Sequence, residues 1–555
     1  MKAASYKLKT ASGISPAEAG YGLVHADTVI ATITDKLYIT PDSLKFEIST
    51  GGKAASQDIA ELGLSPGVYA AVLKVWDDNG AVDEKEIQII LAEPARIRRR
   101  FGARVGSLGY DKPVVVSKSG KTAPWSSLWK TGSVSDIVVD FADGHKFVFW
   151  KGMSYAPSWA FDKSMTSLFF AETVEPGVFR DCCEMMSDRE CRYSHVRLVQ
   201  NTPARVIVHW RCALSDPEYN IARDQWADEI FYIYPDGTIC RNVTIYIDPT
   251  DDSAWKTCPQ TGKRVPADMI NTQPGQRAFN DMEFINVNPM GSSSEDHMPP
   301  EALTVLDCRD FKKTFKWPKP EKGAVPTGID GHIYRMNYLH RPGIFVASGS
   351  EGMLMSLQDN VGVVYEAGAD IKDDMWRTVD ELPTLFANFI HWPLTRGHGT
   401  TVLTDKKYFD DRPTHTFLGH AVNNPFEVGA DGAATWVWLT GVAPESDDEL
   451  RTKVKAWLHP ANIKGAVYDP MQRAYVIEKA PGSNVELEAD VDIILPTFII
   501  KGNDDSSVTV YENDRTLNHA DFAAGTEHYI DHSQVVITFT RNIPKGSKVN
   551  FKFQS

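Results

Sequence analysis

Short β-type segments, each closed by Gly, Pro, Asn or Asp, recur along most of the chain and constrain its fold more than any other feature. Beyond residue 95 they include SDIVVDFADG, KFVFWKG, SHVRLVQN, ARVIVHWRCAL, EIFYIYPDGTICRNVTIYID, GIFVASGS and GMLMSLQDN. Such regular punctuation predicts a large antiparallel sandwich rather than alternating strand and helix units. Helical periodicity is scarce. One helix is predicted at Asp447 to Trp457, DDELRTKVKAW, where acidic residues lead and basic ones follow, as the helix dipole favours. The predicted class is all-β.

Three domains are predicted. Within residues 1–94, the segment LSPGVYAAVLKVWDDNGAVDEKEIQIIL reads as a strand, a tight DDNG turn and a second strand. It is similar to the last strands of the immunoglobulin-like modules that bacteria append to carbohydrate-active enzymes. The run ARIRRRFG then breaks the pattern with Arg96, Arg98, Arg99 and Arg100, and reads as a linker. Residues 95–423 form the central domain. Residues 424–555 form a C-terminal β-sandwich, closed by TFIIKG, SSVTVYEN, QVVITFTR and KVNFKF.

A chain of 555 residues has room for about two to four domains. Its formal net charge of -15 argues against a general binder of nucleic acid or of anionic membranes, so an acidic ligand would need a local basic cleft. No stretch approaches the roughly 18 apolar residues of a membrane span. MKAASYKLKT lacks the apolar core of a secretory signal, and since a mature chain with its signal removed would start the same way, this stretch leaves the location open. The seven cysteines lie between Cys182 and Cys308; their odd number argues against a complete disulfide framework, and their spacing is not that of a zinc ribbon. Buried thiols are expected, with no metal site and no assigned cofactor. Nucleophile-elbow, P-loop, dinucleotide-binding and zincin motifs are lacking.

The chemistry concentrates between Trp150 and Asp248. Strand geometry sends alternate side chains to one face, so Tyr193, His195 and Arg197 align in RYSHVRLV. The next strand repeats the pattern with Arg205, Ile207, His209 and Arg211. NTPA between them reads as a hairpin turn. Alternating polar residues also mark any half-solvated strand, but Lys and Glu would then be expected. A face of Tyr, His and Arg instead favours an anion-binding cleft, because imidazole exchanges a proton near neutral pH and guanidinium pairs with a carboxylate or sulfate. WKGMSYAPSWAF adds Trp150, Tyr155 and Trp159, either as a sugar platform or as core. DQWADEIFYIYPDGTICR offers Trp226, Asp228, Glu229, Tyr232 and Tyr234. NFIHWPLTRGHGTT puts His391, Trp392, Arg396 and His398 in a loop. A rival centre is the acidic cluster Glu172, Glu175, Asp181, Glu184 and Asp188, from which a glycoside hydrolase would need two converging carboxylates.

The blocks FWKGMSYAPSWAF, DCCEMMSDRECRYSHVRLVQNTPARVIVHWRCAL and DEIFYIYPDGTICR resemble polysaccharide lyases of bacterial, mainly marine, polysaccharide-utilisation systems, the ulvan lyases being nearest. The resemblance spans about Phe149 to Arg241, with a weaker echo at Ile390 to Arg396. It implies a β-supersandwich catalytic domain, an acidic polysaccharide as partner, and a secreted or periplasmic location. It also implies β-elimination, which requires neutralisation of a uronate carboxylate, a base for the C5 proton and an acid for the departing O4. On that basis the catalytic candidates are Tyr193, His195, His209, Arg211 and Tyr234. The substrate-binding candidates are Trp150, Tyr155, Trp159, Arg197, His391 and Arg396. Cys212 departs from the pattern, standing where an aromatic is expected. A glycoside hydrolase and a non-catalytic glycan-binding protein are the alternatives.

Overall fold

The computed structural model describes the backbone of the strands between residues 2 and 91 and of the strands at 113–115, 122–124, 165–167, 172–173, 264–266, 281–288, 356–357, 365–367 and 414–422, and side chains over most of 101–106, 135–161, 183–257, 297–315, 329–349, 426–478, 484–502 and 508–553. Strands dominate the described residues, against one α-helix, so the molecule is all-β as its punctuation predicts.

In the N-terminal region, Gly67–Trp76 and Val82–Leu91 form the expected antiparallel hairpin, closed with Trp76 opposite Val82. They belong to a five-stranded sheet in which Lys2–Thr10 pairs in parallel with Phe46–Thr50.

The central domain is built from a nine-stranded and a ten-stranded antiparallel sheet. Their inner faces meet in one core. Val206, Val208, Trp210, Cys212 and Leu214 alternate into it from one strand, and Ala227, Phe231 and Ile233 from the next. From the opposite sheet, Phe147 and Phe149 approach Phe231 with ring centroids 6.0 and 4.9 Å apart, and Trp159 Nε1 donates to Thr440 Oγ1 at 3.3 Å. An ion pair is enclosed in the same core. Arg241 donates to both oxygens of Glu229 at 2.8 Å, satisfying a charge that would otherwise be costly to bury.

The strand Ala433–Val442 corrects the domain boundary drawn at residue 424. It pairs along its whole length with Thr238–Tyr246 and also with Ile344–Ser348, so it is the middle of the ten-stranded sheet. The helix Asp447–Leu458 follows, its N-terminus capped by Ser446, and packs Leu450, Val454 and Trp457 on Leu306, Phe345 and Leu439 of the sheet's outer face. The C-terminal sandwich, two sheets of five and four strands, begins only after that helix. One of its pairings, Ala474–Glu478 with Thr497–Lys501, is parallel.

That sandwich covers part of the same outer face. Ala204 packs with Ala474, Ile499 and Val536, and Thr538 Oγ1 donates to the Ala204 carbonyl at 2.9 Å. Gly525 passes so close that a Cβ there would sit 2.5 Å from the Thr202 Cβ. Arg205 donates from Nε and Nη2 to both oxygens of Glu527, at 2.6 and 2.7 Å, with neither side chain exposed. Helix and sandwich together leave one part of the outer face open.

Candidate functional site

The open part of that face carries the polar stripe. The strands His195–Asn201 and Val206–Ser215 are joined through the turn at Thr202, and they pair with His195 opposite Arg211 and Arg197 opposite His209. The third strand, Ile221–Ile233, sets Asp228 opposite Arg211. The register continues from Asp228 to Thr244, from Thr244 to Thr435, and from Thr435 to Glu427. One transverse row thus crosses six strands, a span of about 24 Å at the usual interstrand spacing. His195, Arg211 and Asp228 occupy its basic end.

Around that end the side chains form a continuous chain of contacts. His209 Nε2 meets Asp228 Oδ1, and Arg211 Nη1 lies 3.4 Å from Asp228 Oδ2. The hydrogen bond from His209 holds the Asp228 carboxyl below the usual carboxylate range, although partial burial opposes this; His209, Arg211 and Arg197 add Coulombic support. Arg211 lies over the Trp226 ring at 5.0 Å. Trp226 meets Tyr193 edge-on at 6.0 Å, Tyr193 meets Tyr219 at 6.1 Å, and Arg192 covers Tyr219 at 4.0 Å.

The segment carrying Tyr193 is fixed from below. Asp188 is buried and accepts from the backbone N–H groups of Arg192 and Tyr193, both at 2.7 Å. Burial nevertheless raises its pKa to about 6, outweighing those bonds. Left-handed backbone at non-glycine residues gathers here too, at Cys191, Tyr219, Arg223 and Asp224, with φ between 45° and 67°. Strained backbone of this kind is held only where the surroundings over-determine it, and it concentrates at functional sites.

The predicted site residues divide. Tyr193, His195, Arg197, His209 and Arg211 lie together. Tyr234 does not join them. It is fully buried under the C-terminal sandwich, where its hydroxyl donates to the Gln472 carbonyl and Arg473 covers its ring at 4.7 Å. Burial pushes its hydroxyl pKa up, against the pull of Arg205 and Arg473, so it is a structural tyrosine rather than a proton donor to an outside substrate. Arg205 shares the parity of His209 but is sealed against Glu527. Trp150, Tyr155 and Trp159, at 3%, 2% and 0% exposure, belong to the sandwich core and cannot serve as a sugar platform. His391 and Arg396 lie outside the described residues, as do Glu175 and Asp181. Of the remaining acidic cluster, Glu172 pairs in register with Glu184, which is buried, and Asp188 is spent on backbone.

Asp228 and Trp226 were not among the predicted site residues, though period-two counting puts them on one face. No group of His, Cys, Asp and Glu able to hold a metal occurs among the described residues. Cys183, Cys191, Cys212, Cys240 and Cys308 are buried free thiols, as their number led us to expect. No described helix is long and apolar enough to cross a membrane.

No family model matches the chain, and no curated protein matches it. Among solved structures it is similar to an amine oxidase of Aspergillus nidulans at 8% identity, over 70% of this chain and 52% of that one, with a TM-score of 0.17. So low a score carries no argument about fold or activity.

Proposed function

We propose that the protein is a polysaccharide lyase that cleaves uronic-acid-containing chains by β-elimination on the open face of the ten-stranded sheet. The observation that carries the reading is the register of His195 with Arg211 and of Arg197 with His209 beside Tyr193: groups able to neutralise a carboxylate, remove a proton and donate one adjoin each other on an exposed surface.

The chemistry assigns the roles. Arg211, with Arg197, pairs with the uronate carboxylate and stabilises the negative charge that develops when C5 loses its proton. His209 takes that proton. The C4–O4 bond breaks as the C4–C5 double bond forms, and Tyr193 returns a proton to O4. His195, opposite Arg211, assists neutralisation. A site built this way acts on an acidic polymer outside the cell, so a secreted or periplasmic enzyme is part of the proposal, with an ulvan-like chain as the substrate class the sequence resemblance favours.

Incubation with a panel of uronic-acid polysaccharides, followed by ultraviolet absorbance, is the test, because only elimination creates the unsaturated-uronate chromophore. New reducing ends without that chromophore would replace the lyase by a hydrolase. Binding with no new ends at all would replace it by a glycan-binding protein.

A further inference from the structure

Asp228 touches two of the proposed reacting groups with different oxygens, Oδ1 on His209 and Oδ2 on Arg211. A carboxylate only accepts hydrogen bonds, so the imidazole nitrogen facing it must carry the proton. That nitrogen is Nε2. In the neutral ring the lone pair then resides on Nδ1.

We infer that Asp228 is a positioning residue which locks His209 as its Nε2–H tautomer, leaving Nδ1 to accept the substrate proton, and which at the same time sets the distance between His209 and the arginine that clasps the substrate carboxylate. Three features of the sheet support this. His209 and Arg211 are two residues apart on one strand, so both point to the same face, and Asp228 lies opposite Arg211 on the neighbouring strand. Arg211 also lies over the Trp226 ring at 5.0 Å, so the carboxylate and the indole together limit its movement. Finally, the imidazole is more sheltered than the carboxylate, with side-chain exposures of 17% and 39%, so water competes less for the histidine than for its orienter.

The inference rests on the lyase reading for its meaning but not for its test. The first measurement needs no substrate: the imidazole ¹⁵N resonances of His209, assigned by their loss in His209→Gln, report which nitrogen is protonated once the ring is neutral. The parent protein should show protonated Nε2 and bare Nδ1. Asp228→Asn can turn an amide N–H toward the ring and should abolish that preference, while Asp228→Glu should retain it. A parent ring protonated on Nδ1, or a tautomer unchanged in Asp228→Asn, overturns the inference. The second measurement is kinetic. Asp228→Asn should lower kcat by about 100-fold or more with a smaller change in KM, the pattern of a misoriented base, and Asp228→Glu should recover part of it. An unchanged kcat in a folded Asp228→Asn protein also overturns it. A parent protein with no lyase activity at all would sink the proposed function, and the ¹⁵N result would still decide the tautomer.

Discussion

Substituting Arg205 by Met would show how firmly the C-terminal sandwich is tied to the sheet that carries the site. Neither Arg205 nor Glu527 is exposed, and their two hydrogen bonds measure 2.6 and 2.7 Å. Burial alone would depress the guanidinium pKa, but Glu527 keeps it charged and well above its ordinary value. Removing one member of such a pair leaves the other as an uncompensated buried charge, at a cost of about 3–5 kcal/mol. Glu527 retains two other donors, Gln534 Nε2 at 2.8 Å and the Tyr529 hydroxyl at 2.9 Å, so Arg205→Met should fall near the lower end, about 3 kcal/mol. The double variant Arg205→Met, Glu527→Leu removes both charges and should recover part of that loss, since apolar replacement of a buried pair is often neutral but Gln534 Nε2 and the Tyr529 hydroxyl lose their acceptor. Denaturant unfolding of parent, both single variants and the double variant closes the cycle. A single-variant loss below about 1 kcal/mol, or a double variant no better than the singles, would refute the claim that this pair is a sealed contact between the two domains.

Further outcomes follow from the same geometry. Tyr193→Phe keeps the ring contacts with Trp226 and Tyr219 but loses the hydroxyl, so kcat should fall about 100-fold with the melting temperature preserved; a rate within threefold of the parent would exclude Tyr193 as proton donor. Tyr246 shares the open face beyond Thr244 and is 60% exposed; as a stacking surface its replacement by Ala should raise KM about fivefold and spare kcat, and an unchanged KM would remove it from the binding path. Burial raises Asp188 to about 6, so its contribution to stability is full below the unfolded carboxylate value near 4 and is lost as pH rises through 6. Asp188→Asn cannot ionise, so it should gain on the parent by about 2 kcal/mol between pH 4 and pH 7; a stability difference independent of pH would show that Asp188 is not held as described.

How far the site could be read from the residues depends on which step of folding each feature needs. Period-two alternation was enough to align His195 with Arg197 and His209 with Arg211, because parity is local to a strand. The hairpin at NTPA then made the two strands neighbours, but it did not fix their register, because the pairing shifts between Leu198 and Gln200. The third strand was harder. Arg223 and Asp224 adopt left-handed backbone and the register shifts between Ala213 and Ser215, so period-two counting holds only from Gln225 onward; it puts Trp226 and Asp228 on one face, but that Asp228 lies opposite Arg211 depends on pairing between strands, which parity does not encode. Parity also says nothing of coverage: Arg205 has the parity of His209, yet a strand more than 300 residues later seals it. The same limit explains Trp150 and Trp159, whose Gly- and Pro-rich surroundings suit an exposed loop as well as a core edge. The boundary at 424 was missed because the strand Ala433–Val442 pairs with a partner nearly 200 residues earlier, a contact that no local pattern encodes.

Ultraviolet absorbance of the unsaturated uronate during incubation with uronic-acid polysaccharides, followed for the parent, His209→Ala, Arg211→Ala and Glu184→Gln with a thermal melt of each, decides between elimination by the histidine–arginine face and hydrolysis by the carboxylates. Elimination on this face requires a growing chromophore with at least one such polymer for the parent and Glu184→Gln, and a loss of about 100-fold or more in rate for folded His209→Ala and Arg211→Ala. Chain cleavage without the chromophore, or activity that survives in His209→Ala and vanishes in Glu184→Gln, would contradict it.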